Sequence, residues 1–151
     1  AQCPYNLLNP SQGSEIPYGY PYQDFERLIN SASSKNMGVI AIRVLAAGAL
    51  SATAERHELA AQSPRPIGTG ASLIDDVAAA KNFSFLWSEG YTDNIVEGAI
   101  RFAITNHDVS TALIGLSSME QLKCAAIAAE KGPLPGEAIE RLQAIWADMV
   151  N

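Results

Sequence analysis

Residues 109–122 read VSTALIGLSSMEQL. Val109 to Ile114 form an apolar, β-rich run that predicts a buried strand. Gly115 lets the backbone turn. Ser118 and Gln121 then stand at the S-x-x-Q spacing of a capping box, which predicts a helix start. The first N–H groups of a helix have no partner within it, and its N-terminal end is electropositive. A strand that runs through small residues into such an end can hold an anion, with Ser117 adding a hydroxyl.

The neighbouring segments fit a strand–helix alternation. Upstream, Gly38–Val44 is a second short apolar run, suited to a parallel strand buried on both faces. Leu45-Ala46-Ala47-Gly48 follows it with small residues. A first helix is predicted from Asp24 as cap to about Lys35, with Phe25, Leu28, Ile29 and Ala32 inward. Before it lies a loop of Pro, Gly and Tyr residues from Asn9 to Pro21, read as packing on itself. Residues 1–6 read as the end of another strand. Beyond the second strand, Ala52–Ala61 is read as a short helix and Ser63–Gly70 as a loop. Ser72 and Asp75 open a helix towards Trp87, and Thr92 caps the next, with Ile95, Ala99, Phe102 and Ala103 buried. Downstream, helices are predicted from Met119 to Glu130, with Leu122, Ala125, Ala126 and Ala129 inward, and from Gly136 to Val150, with Ile139, Leu142, Ile145, Trp146 and Met149 inward. Strands alternating with helices imply parallel pairing and right-handed crossovers. Three strands alone leave sheet edges uncovered, which suggests part of a larger structure.

Composition narrows the function. The chain has 151 residues, enough for a real core, and 48% are hydrophobic. Sixteen acidic against ten basic residues give a net charge of -6, which argues against a nucleic-acid surface. No apolar run reaches the roughly 18–20 residues of a membrane span, and no basic-then-apolar leader is visible, so the reading is of a cytoplasmic protein. Cys3 and Cys124 are read as buried, reduced thiols. His57 and His107 each lack partners at ligand spacing, so no metal site is expected.

Three stretches together carry a resemblance. Gln2-Cys3-Pro4-Tyr5-Asn6-Leu7-Leu8-Asn9, residues 38–51 (GVIAIRVLAAGALS) and residues 110–122 resemble strands six, seven and eight of an aldo-keto reductase, with their exit loops. That family folds as a TIM (β/α)8 barrel, and the resemblance implies an α/β fold that is a partial barrel: three parallel strands with surrounding helices. A whole barrel takes about 250 residues. The reading is therefore of residues 1–151 as the C-terminal, cofactor-binding part, beginning inside strand six. The family's catalytic Asp, Tyr, Lys and His come from the first half, so no catalytic residue is assigned here.

The resemblance also implies site residues. Gln2 matches a family Gln whose amide meets the nicotinamide carboxamide; bonding to a neighbouring strand is the structural alternative. Ile42 stands where an aromatic often stacks on the nicotinamide, and offers an apolar face instead. Arg43 contacts a phosphate or pairs with an acid at the strand end, and both stay open. Leu45, Ala46 and Ala47 would lie along the pyrophosphate. Gly115, Ser117 and Gln121 match positions used for the 2′-phosphate end of NADP. Cys124 and Ala125 stand where the family usually has Glu and Asn against the adenine. The implied function is reduction of aldehydes or ketones with NADPH, this chain alone being inactive. The alternative is a non-catalytic nucleotide-binding or assembly module. The expected partners are the nicotinamide cofactor, a carbonyl substrate in a complete barrel, and either a second copy or an N-terminal half to cover the open sheet.

Overall fold

The computed structural model describes residues 1–51, 55–69 and 72–150. Its centre is one parallel sheet of three short strands: β1 (Gln2–Pro4), β2 (Ile40–Ile42) and β3 (Thr111–Ala112). They lie side by side in the order β1-β2-β3. Gln2 is opposite Ile40, and Ile40 is opposite Thr111; Cys3, Ala41 and Ala112 form the next row. The strands are shorter than the sequence predicts. β2 ends because Arg43 takes a left-handed backbone, with φ 55°. Beyond β3 the pairing persists only as single bonds, such as Leu113 N–H to Ala41 O at 2.8 Å.

Side chains alternate across the sheet. Cys3 and Ala41 are buried beneath the helices, whereas Gln2, Ile40 and Thr111 are exposed. The expectation of a strand buried on both faces therefore fails for β2: Ile40 is 37% exposed. One face of the sheet carries the helical layer, and the other is open among the described residues.

The helices are α1 (Leu28–Ser33), α2 (Leu73–Ala80), α3 (Phe85–Ser88), α4 (Ile95–Thr105), α5 (Met119–Glu130) and α6 (Gly136–Asp148), with a tight double turn over Ala46–Ser51. Helix α1 starts later than predicted, and Asp24 does not cap it; Asp24 Oδ1 accepts the N–H of Glu26 at 2.8 Å instead. The preceding loop delays the helix by taking its donors: Arg27 N–H bonds Ser11 O at 2.9 Å and Ile29 N–H bonds Gln12 O at 2.8 Å. Ser72 and Asp75 form the predicted capping box of α2. The helix predicted on to Trp87 is broken at Ala80 by a tight turn, Lys81–Phe83, before α3. Thr92 does not cap α4. Asn94 does, its Oδ1 accepting from Glu97 N–H at 3.0 Å, while the Thr92 hydroxyl donates to Asn94 O.

Of the predicted helix Ala52–Ala61, residues 52–54 lie outside the described residues, and 55–61 are not helical. Side chains close this loop instead, with Gln62 Nε2 donating to the carbonyls of His57 and Ala60.

The core joins the β1 exit to α4 and α6. Tyr5, Phe102 and Trp146 stack in series, with ring centroids 4.8 and 5.7 Å apart. Trp146 Nε1 donates to Leu7 O at 2.8 Å and the Tyr20 hydroxyl to Leu8 O at 2.6 Å, so both polar ends are satisfied. Helix α6 buries Leu142 and Trp146 as its pattern predicts. Helix α5 does not. Only Ala128 is buried; Leu122, Ala126 and Ala129 are exposed, and Ala125 is half-buried. The helix rests on α4 along a narrow strip, and its first turns border a groove. For the same reason Cys124 is exposed, against the expectation of burial; Cys3 is buried, and both thiols are free.

Candidate functional site

The groove lies where the chain leaves β2 and β3, at the C-terminal end of the sheet. Its volume is about 1290 Å³. The exit of β2 forms one wall through Arg43, Leu45 and Ala47, and the start of α5 forms another through Ser117 and Gln121. Residues 55–57 and 59–61, with Trp87, also line it.

The backbone at the β2 exit is unusual. Arg43, Ala46 and Ala47 all have left-handed φ, at 55°, 46° and 58°. Each costs a non-glycine residue roughly 1–2 kcal/mol, so the surroundings must hold it there. Asn6, fully buried, does much of this: its Nδ2 donates to Arg43 O at 2.9 Å, and its Oδ1 accepts the N–H groups of Leu8 and Asn9. Ala46 N–H donates to the same Arg43 carbonyl at 2.7 Å. Gly48 is required where it stands. Its φ is 101°, and a Cβ would sit 2.8 Å from Arg56 Nη1. That guanidinium ties residues 55–61 to the double turn, donating to Ala47 O at 2.7 Å and to Ala61 O at 2.6 Å.

At the other wall Ser118 caps α5, its Oγ accepting from Gln121 N–H at 3.2 Å. The reciprocal bond differs from a standard capping box. Gln121 Oε1 accepts from Ser117 N–H at 2.7 Å, one residue upstream of the cap. Thus the N–H groups of Ser117 and Gln121 are already satisfied, and the Ser117 hydroxyl and the N–H groups of Met119 and Glu120 remain to meet an anion. Gly115 is not left-handed and has nothing within 4 Å of where its Cβ would be, so its smallness opens space rather than permitting the turn.

Arg43, Leu45, Gly115, Ser117 and Gln121 are thus brought together on one groove. Ala46 instead lines a smaller cavity behind it, and its N–H is used in the turn. Gln2 lies on the open sheet face, and neither it nor Ile42 lines the groove. The side chain of Arg43 has no hydrogen-bond or ionic partner among the described residues, which leaves its charge available. The donors fit a phosphate group. At the adenine positions Cys124 and Ala125 line the groove, and neither supplies a strong hydrogen-bonding group.

Sequence reasoning missed Asn6, Arg56 and Glu97. Asn6 is a short polar residue at a strand exit, a type that bonds nearby backbone. Glu97 and Asp93 form the charged end of the groove. Burial pushes the Glu97 carboxyl up, but hydrogen bonds from Lys131, the Asp93 amide and Arg101 outweigh it and hold it below its ordinary range. No signal in the chain announces Arg56, whose partners are backbone carbonyls. Among the described residues no helix is long and apolar enough to cross a membrane, and no group of three or more His, Cys, Asp or Glu is placed to hold a metal.

Solved structures share this fold. The aldo-keto reductase AKR11C1 from Bacillus halodurans matches in its holo form with a TM-score of 0.59 at 19% identity, covering 95% of this chain. Its apo form matches with a TM-score of 0.57 at 20% identity. The chain spans only 41% and 42% of these neighbours, so its three strands are part of a TIM barrel. No curated protein matches the chain by sequence. The model of the aldo/keto reductase family matches residues 17–147, and the chain belongs to that family.

Proposed function

We propose that residues 1–151 form the cofactor-binding C-terminal part of an NADP-dependent reductase of aldehydes or ketones. The observation that carries this reading is the groove at the strand exits, where Arg43, Ser117 and the start of α5 converge. Barrel enzymes place their sites at this end of the strands. Arg43 would meet a phosphate by charge, and Ser117 with the α5 N–H groups would hold the 2′-phosphate end. Leu45 and Ala47 would lie along the pyrophosphate, and Gln2 and Ile42 would face the nicotinamide once the barrel is complete. The cofactor, when bound, supplies a hydride to the carbonyl carbon. The proton must come from a general acid, which the family draws from the first half of the barrel, so residues 1–151 alone would not turn over substrate. Two free thiols suit a reducing compartment, and the cytoplasm is the proposed location.

The test is a titration of the chain with NADPH, following cofactor fluorescence. Saturable binding is expected in the high micromolar to millimolar range, and it should weaken in Arg43→Met. No response at millimolar NADPH would remove the cofactor reading. The open sheet face favours a second reading, an assembly module that binds another polypeptide through that face.

A further inference from the structure

The small cavity behind the groove is lined by Arg43, Ala46, Pro66, Ile67, Thr69 and Asp76. Asp76 belongs to α2, which packs against the double turn Ala46–Ser51. It is 2% exposed. Its Oδ2 accepts the Thr69 hydroxyl at 2.8 Å, but its buried Oδ1 has no partner. A buried carboxylate oxygen without a donor is costly, and structures normally supply one. The groups that act on it are Thr69, the neighbouring Asp75, and Tyr22, whose phenol is pushed up to about 12 by burial and then by Asp76 and Asp75; Arg43 lines the cavity with it. Of these only Arg43 is a cation. It lines the cavity and the groove alike, and its guanidinium is unpartnered among the described residues. A buried acid lacking a donor and a cation lacking an acceptor thus border the same space. An arginine side chain has the length and rotamers to reach either side of its own backbone.

We propose that Asp76 is the charge partner of Arg43 and sets its position: the guanidinium exchanges between a position at the edge of this closed space, turned towards the Asp76 carboxylate, and the groove, where it meets a phosphate-class anion. The second half of this exchange rests on the phosphate reading of the groove; the pairing does not. Asp76 is a positioning residue, since it touches no ligand. It competes for Arg43, so it weakens anion binding while keeping the cation close at hand.

Two measurements test this. The first follows the side-chain carboxyl carbon of Asp76 by NMR across pH, with the resonance assigned through its loss in Asp76→Asn. Arg43→Met should raise the Asp76 midpoint by about one pH unit, because a nearby cation lowers a carboxyl by that order. Arg43→Lys, which keeps the charge, should restore most of the wild-type midpoint, an effect that lost packing alone does not give. Equal midpoints in wild type and Arg43→Met overturn the pairing. The second measurement is binding of inorganic pyrophosphate and NADPH by calorimetry. Asp76→Asn should bind either about threefold to tenfold more tightly, and the double variant should resemble Arg43→Met. Unchanged affinity in a folded Asp76→Asn overturns the exchange. If the wild type binds neither probe, the phosphate reading fails, and the carboxyl titration still decides the pair.

Discussion

Glu97 is buried yet charged, and three donors keep it so. Arg101 Nη1 lies 3.0 Å from Oε1, and Lys131 Nζ and the Asp93 amide lie 2.8 and 3.2 Å from Oε2. Arg101 also donates to the carbonyls of Tyr91, Gly132 and Pro133, so the cluster ties α4 to the segment after α5. Glu97→Ala removes the buried anion, leaving Arg101 without a carboxylate and Lys131 with Asp93 alone, at an expected cost of about 2–3 kcal/mol in urea unfolding. The pH dependence follows from the same residues. Hydrogen bonding to Lys131 holds Asp93 below its ordinary 3.8, and the cluster holds Glu97 below its ordinary 4.5. Depressed carboxyls stabilise the fold above their unfolded values, and that contribution is lost as pH falls through the folded ones. Lys131 is raised above 10.5 by Asp93 and Glu97, so its contribution is lost as pH climbs past that value. Asp76 has the opposite sign to Asp93 and Glu97: burial raises it, so it favours the fold most at low pH. Urea midpoints measured from pH 7 downward should fall below about pH 4.5 in the wild type, and the fall should be shallower in Glu97→Gln. Parallel curves would show that the cluster does not govern acid stability.

At the scale of elements, the parts legible in the sequence are those set by neighbours in the chain. Ser72 with Asp75, and Ser118 with Gln121, mark the starts of α2 and α5, because a cap needs only a side chain and the donors two or three residues on. Replacing Ser118 by Ala should cost about 1 kcal/mol and should also loosen any anion held at the α5 start; thermal unfolding with and without pyrophosphate separates the two effects. The pattern was less informative where partners are remote. The inward face predicted for α5 is exposed because a helix can be amphipathic without anything to cover it, and Cys124 follows it into solvent. Thr92 and Asn94 are both good caps, and the choice between them depends on where α4 meets the core. The left-handed turn at Arg43 was illegible, since it is held by Asn6 from the loop after β1. The turn from Gly115 through Ser117 to Gln121 was readable from the residues alone, but that Arg43 and Leu45 border the same groove was legible only through the family resemblance, which supplied the spatial adjacency that spacing along the chain does not. Core glycines make a similar point. A Cβ on Gly98 in α4 would lie 2.9 Å from Leu86 Cδ1, so Gly98→Ala should destabilise by about 1–3 kcal/mol despite its better helix propensity.

For the molecule as a whole, the governing feature is a parallel sheet with helices on one face. Parallel sheets are ordinarily covered on both. Here the open face presents Gln2, Ile40 and Thr111 in one row, with Leu113 beyond them at 59% exposure. Among the described residues no further strand pairs with the outer side of β1 or β3, so backbone donors and acceptors there are left to water. Water satisfies those polar groups but not the apolar ones, so burial of this face against another polypeptide is favourable. The chain spans 41% of its structural neighbour, and in that neighbour the remaining length is available to do the covering. The 151 residues by themselves are therefore expected to self-associate through the open face, with an apparent mass that rises with concentration in sedimentation or light scattering. Ile40→Lys together with Leu113→Lys places like charges on that face and leaves the helical layer untouched. The pair should shift the distribution to monomer without lowering the unfolding midpoint by more than about 1 kcal/mol, since both side chains are already exposed. A wild-type chain that stays monomeric over a wide concentration range would mean that the open face tolerates water after all. It would then leave a complete barrel, rather than self-assembly, as the context in which this sheet is buried.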